Sequence, residues 1–75
     1  MGWIGTRHEL EYTLRSFGCD QKDGKLCVDG SITSFMGAGE EFVVGDDAVY
    51  YVNGQPRSIV QALSVTSYGR QVVVL

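Results

Sequence analysis

Thr6-Arg7-His8-Glu9-Leu10-Glu11-Tyr12-Thr13-Leu14-Arg15-Ser16-Phe17-Gly18 is the stretch of this chain that reads most clearly as a helix. Thr6, with Glu9 three residues on, makes a capping box. Leu10, Leu14 and Phe17 recur at i, i+4 and i+7 and lay one apolar stripe along it. Glu11 and Arg15 stand four apart with the acid first, the favourable order for an ion pair on a helix. Gly18 supplies a C-terminal stop. The spacing predicts a helix over residues 6–17.

Downstream the period changes. The segment from Cys19 to Gly24 is polar and ends in Asp-Gly, a turn signal. Leu26, Val28 and Ile32 alternate with Cys27, Asp29, Ser31 and Thr33, with Asp29-Gly30 marking a hairpin or bulge. Met36 to Glu40 reads as a loop. Phe42-Val43-Val44 and Ala48-Val49-Tyr50-Tyr51-Val52 are strand-like, rich in β-branched and aromatic residues, and Gly45-Asp46-Asp47 turns between them. Asn53-Gly54 is the strongest hairpin signal in the chain. Pro56 either starts the returning strand near Arg57 or makes it a sheet edge there. Ser58 to Tyr68 alternates Ile59, Leu63 and Val65 and reads as a further strand, and Gln71 to Leu75 as the last. The pattern predicts an α+β domain: one N-terminal helix packed on a small antiparallel sheet, or a half-open barrel, of four to six short strands. Residues 1–75 leave room for one domain only.

The net charge of −3 is unevenly placed. Residues 20–47 carry seven acids against two bases, whereas the remainder carries two acids against four arginines. An acidic middle lacks the basic footprint that a phosphate backbone requires. It suits a protein partner with a basic surface. The longest apolar run is far below the roughly 20 residues of a bilayer span. Met1-Gly2-Trp3-Ile4-Gly5-Thr6 lacks a basic n-region and an apolar h-region, although it fits the loose pattern for N-myristoylation. A cytoplasmic location without membrane attachment is the expectation, and with it free thiols at Cys19 and Cys27.

Candidate chemical motifs are incomplete. Gly37-Ala38-Gly39 lacks the third glycine and the following helix of a dinucleotide loop. Asp20 to Gly24 has a calcium loop's glycine without its ligand spacing or terminal glutamate. One histidine, His8, is too few for a zinc set with two cysteines and no C-x-x-C pair. Its phase on the helix, about 160° from Leu10, aims it at solvent. With no triad in view, the chain reads as a non-enzyme that uses no cofactor and no metal.

Surfaces are what the sequence leaves to carry function. His8, Tyr12 and Arg15 fall within about 60° of one another, opposite the apolar stripe. Tyr and Arg are residue types that dominate interface hot spots. Glu40, Glu41, Asp46 and Asp47 form an acidic segment able to steer association. In size and charge the chain is similar to small bacteriophage inhibitors, among them anti-CRISPR proteins. The leading expectation is an acidic protein-binding module that occludes a basic, nucleic-acid-binding surface of its partner, with Glu40, Glu41, Asp46, Asp47, His8, Tyr12 and Arg15 at the contact. Two rival readings stand beside it. Val43-Val44, Val49 to Val52 and Val72 to Leu75 are apolar on both faces, which suits a self-associating assembly component or homodimer. That argument places the terminal strand in the middle of the sheet or across a dimer. Tyr50, Tyr51 and Tyr68 beside Arg57 and Arg70 could stack single-stranded nucleic acid.

Overall fold

The computed structural model describes residues 2–34, 41–66 and 70–72. The fold is α+β, with an N-terminal helix, a short second helix and small antiparallel sheets. Strand β1 (Gly2–Thr6) leads without a loop into helix α1 (Arg7–Ser16). Four short strands follow: β2 (Gln21–Lys22), β3 (Lys25–Leu26), β4 (Val28–Asp29) and β5 (Ile32–Ser34). Then come β6 (Glu41–Val44), β7 (Val49–Val52), β8 (Gln55–Ser58), helix α2 (Ile59–Ser64) and β9 (Arg70–Val72). The strands form a four-stranded sheet ordered β5-β6-β1-β9, a three-stranded sheet ordered β4-β7-β8, and the β2-β3 ribbon.

Thr6 serves both first elements. It is the last residue of β1, opposite Glu41 of β6, and it caps α1 with Oγ1, which accepts the Glu9 N–H at 3.2 Å and donates to the Glu9 carboxylate at 2.8 Å. At the other end Gly18 takes the left-handed conformation (φ 85°). Cys19 N–H then reaches the Leu14 carbonyl and Gly18 N–H the Arg15 carbonyl, which is the Schellman closure. The helix buries Leu10, Thr13 and Leu14. Phe17, expected to continue the stripe, is instead 39% exposed. It is the C-cap residue, already past the last helical turn, so its side chain leaves the stripe.

One core cluster joins both helices and the sheets: Leu10, Leu14, Cys19, Val44, Ala48, Tyr50, Ile59, Ala62 and Leu63 are buried, with Trp3, Leu26, Ile32 and Phe42 packed partly against them. Asn53 and Gly54 both have positive φ (51° and 79°) and close the β7–β8 hairpin, as an Asn-Gly turn of the primed type does. Pro56 lies on β8, at the edge of its sheet, opposite Tyr51. Gly30 (φ 93°) is the corner where the chain leaves one sheet for the other. A Cβ there would stand 2.7 Å from the Asp47 carbonyl oxygen and 2.8 Å from the Ala48 Cα, so only glycine allows that approach.

Two local expectations need correction. Ser58 to Tyr68 is not a strand through its first half, which is α2. Ser58 Oγ caps that helix by accepting Gln61 N–H, and Ile59, Ala62 and Leu63 are buried at i, i+3 and i+4. Ile59 and Leu63 satisfy both periods, and tertiary burial selects the helical one. Strand β1, for which the sequence carried no assigned strand, lies between β6 and β9. The terminal strand is not in the middle of its sheet: β9 sits at the outside, paired only to β1 among the described residues, which leaves the expectation of pairing across a dimer untouched. Gly45-Asp46-Asp47 does turn the chain, the Ala48 N–H reaching the Gly45 carbonyl at 3.1 Å, and the strands it joins, β6 and β7, belong to different sheets. The Met36–Glu40 loop, Tyr68 and the last three residues lie outside the described residues.

Candidate docking face

Helix α1 presents two adjoining surfaces. On its outer side His8, Glu11, Tyr12, Arg15 and Ser16 line an open depression. His8 and Arg15 are exposed and Tyr12 is 60% exposed, so the face inferred from the helical wheel is present as one continuous patch.

On its flank α1 faces β3 to β6 across a groove. Leu10 and Leu14 supply one wall of its floor, and Leu26, Val28, Ile32 and Phe42 the other. Its remaining lining includes Arg7, Glu11, Arg15 and Lys25. Glu11 pairs with Arg7 at 3.1 Å, not with Arg15 as the i, i+4 rule suggested, because Arg7 lies one turn earlier at the same spacing. Arg15 and Lys25 have no ion-pair partner among the described residues. Glu11 and Arg15 belong to both surfaces, so groove and outer face are continuous.

The acidic residues do not assemble as expected. Glu40 lies outside the described residues. Glu41 opposes Thr6 at the start of α1, whereas Asp46 and Asp47 lie in the turn beyond the far end of β6. Three residue steps of strand alone separate Glu41 from Val44, about 10 Å. Asp47 is also engaged in the fold: its Oδ2 accepts the Ser31 N–H at 3.2 Å and the Ser31 hydroxyl at 3.0 Å. Reversing its charge would therefore disturb the β4–β5 corner as well as the surface potential. Asp20 acts similarly, accepting the N–H groups of Asn53 and Gly54 at 2.9 and 2.8 Å.

The tyrosine platform does not form as read. Tyr50 is 6% exposed and belongs to the core, so its ring face is unavailable to a base. Burial pushes its hydroxyl pKa up, and Arg57 partly opposes that rise. Cys19 and Cys27 are free thiols. Cys19 is buried, its Sγ directed at the carbonyls of Asp20 and Cys27. Loss of solvation raises its pKa, which hydrogen bonding to the Cys27 and Tyr51 backbone only partly offsets, and this keeps the thiol protonated and poorly nucleophilic. Among the described residues no three His, Cys, Asp or Glu side chains are placed to share a metal ion. No helix among them is long and apolar enough to cross a membrane.

The residues missed by sequence reading are Arg7 and Lys25. Arg7 was legible on the wheel, in line with Glu11 and Leu14. Lys25 had no local signal, since it sits in the acidic half of the chain and comes to share a groove with Arg15 only through folding. No protein-family model, no curated protein and no solved structure matches this chain.

Proposed function

We propose that this chain is a protein-binding module that acts stoichiometrically, by covering a surface of its partner, and that α1 is its docking element. The observation carrying this reading is the continuity of an apolar groove with the exposed His8–Tyr12–Arg15 face. A rigid helix displaying Tyr and Arg beside a concave apolar floor has the anatomy of an interface core with its polar rim. Binding of this kind needs no bond to be made or broken, and its effect on the partner is occlusion. The acidic turn at Asp46 and Asp47, with Asp29 beside it, gives the chain a negative end. That end favours approach to a partner carrying a basic surface, such as one that holds nucleic acid, while α1 supplies the short-range contacts.

The test places a photoreactive benzoylphenylalanine at Tyr12 and, separately, at Gln61, an exposed α2 residue that lines neither α1 surface. Irradiation in the native host is expected to give one discrete heterologous adduct from position 12, absent from position 61. Arg15→Glu should reduce it at least fivefold. Equal yields from both positions would refute the assignment to α1. An adduct at twice the chain's own mass of 8.2 kDa would replace heterologous binding by self-association.

A further inference from the structure

The charge at the groove is opposite to that of the chain. The protein carries −3, yet the groove lining contains three cations, Arg7, Arg15 and Lys25, against one anion, Glu11. Arg7 is occupied by that anion. Arg15 from α1 and Lys25 from β3 are exposed and without an ion-pair partner among the described residues. Between the two elements lies the apolar floor, where Leu14 is 1% exposed and Val28 39%.

The groove measures about 210 Å³, below the roughly 300–1,000 Å³ of sites that enclose a whole small molecule. It accommodates one or two side chains of a larger molecule whose backbone runs along the surface. Two cations on different elements ask for two carboxylates, which an alkyl monocarboxylate does not provide.

We infer that the groove accepts a short acidic and apolar peptide segment of the partner, with a Leu- or Phe-sized side chain on the floor and flanking carboxylates on Arg15 and Lys25. This rests on the protein-binding reading and states what the docking face recognises. Arg15 offers a planar fork that can grip a carboxylate with two hydrogen bonds, and Lys25 a point charge. The apolar side chain displaces water from the floor, which lowers the local dielectric and strengthens both charge contacts.

The experiment titrates the whole chain, followed by methyl and amide NMR, with the fluorescein-labelled heptapeptide Glu-Asp-Leu-Asp-Phe-Glu-Asp. Controls are the same peptide with every acid replaced by Lys, the same with Leu and Phe replaced by Ala, and decanoate. The acidic peptide is expected to move the methyl signals of Leu10, Leu14, Leu26 and Ile32, and both control peptides to leave them in place. The double variant Arg15→Glu, Lys25→Glu should weaken the acidic peptide roughly tenfold, with a dispersed spectrum showing that its fold is kept. Equal binding of the basic peptide, or an unchanged Kd in the double variant, would overturn the inference. Tighter binding of decanoate than of the peptide at those methyls would overturn it in favour of a lipid carboxylate. Absence of acidic-peptide binding while the Tyr12 adduct persists would overturn the groove chemistry and leave the binding-module reading standing.

Discussion

Replacing Asp20 by Ala removes the polar tie between the segment after α1 and the tip of the β7–β8 hairpin. Both carboxylate oxygens are used: Oδ1 accepts the Asn53 N–H at 2.9 Å and Oδ2 the Gly54 N–H at 2.8 Å, across 33 and 34 residues of sequence. Those two amides belong to the turn residues with positive φ, so the carboxylate holds the turn in the conformation the hairpin needs. Hydrogen bonds to a charged group contribute about 1.5–3 kcal/mol each when sheltered. Here the site is open to solvent, and about 2 kcal/mol for the pair is the expected loss. The Asp20 backbone N–H still reaches the Tyr51 carbonyl at 2.7 Å, so the strand beneath survives. For a domain of this size each kcal/mol moves Tm by about 4–8 °C, and Asp20→Ala should melt roughly 10 °C lower. Asp20→Asn keeps one acceptor oxygen and should fall between the two. Circular-dichroism melting and urea titration give the magnitude, and amide hydrogen exchange gives the location, with protection lost first at Asn53 and Gly54. A loss under about 0.5 kcal/mol, or a full loss with those two amides still protected, would refute the account.

Thr13 is 1% exposed and its Oγ1 has no hydrogen-bond partner among the described residues; Thr13→Val, which keeps the shape and deletes the hydroxyl, should stabilise by about 1 kcal/mol. A lower urea midpoint in that variant would mean that the hydroxyl is satisfied. Stability should also fall in alkali. Burial raises the pKa of Cys19 and of Tyr50, so the folded state holds these protons after the unfolded chain has lost them. Their contribution is complete below the unfolded values and disappears as pH rises from about 8.5 through the raised folded values. Urea midpoints at pH 7 and above pH 9 should show the decline, with Cys19→Ala removing its first part; a flat or rising profile would contradict it.

Much of α1 was legible because its signals are local. A hydroxyl at the cap, a leucine pair four apart and a glycine after the last turn act within a few residues, and each appears where the sequence put it. The Asn-Gly hairpin was legible for the same reason. Ile59 to Ser64 was not, since Ile59 and Leu63 fit a strand and a helix alike until Ala62 is known to be buried with them. The outer face of α1 followed from the wheel, but the groove beside it did not. Four of the six floor residues are Leu26, Val28, Ile32 and Phe42, 12 or more positions from Leu14 with no local pattern linking them to it.

Charge shows the same division. The amino-acid order alone determined the α+β class, the net negative charge and a helix carrying His8, Tyr12 and Arg15 on one side, because backbone period and capping chemistry are read over one or two turns. Tertiary structure alone decided that β6 and β7 part into different sheets. It also turned Asp20 and Asp47 inward to backbone amides and brought Lys25 to the same groove as Arg15. Electrostatic attraction depends on distance in space and on which charges are already engaged, and neither quantity is set by position along the chain.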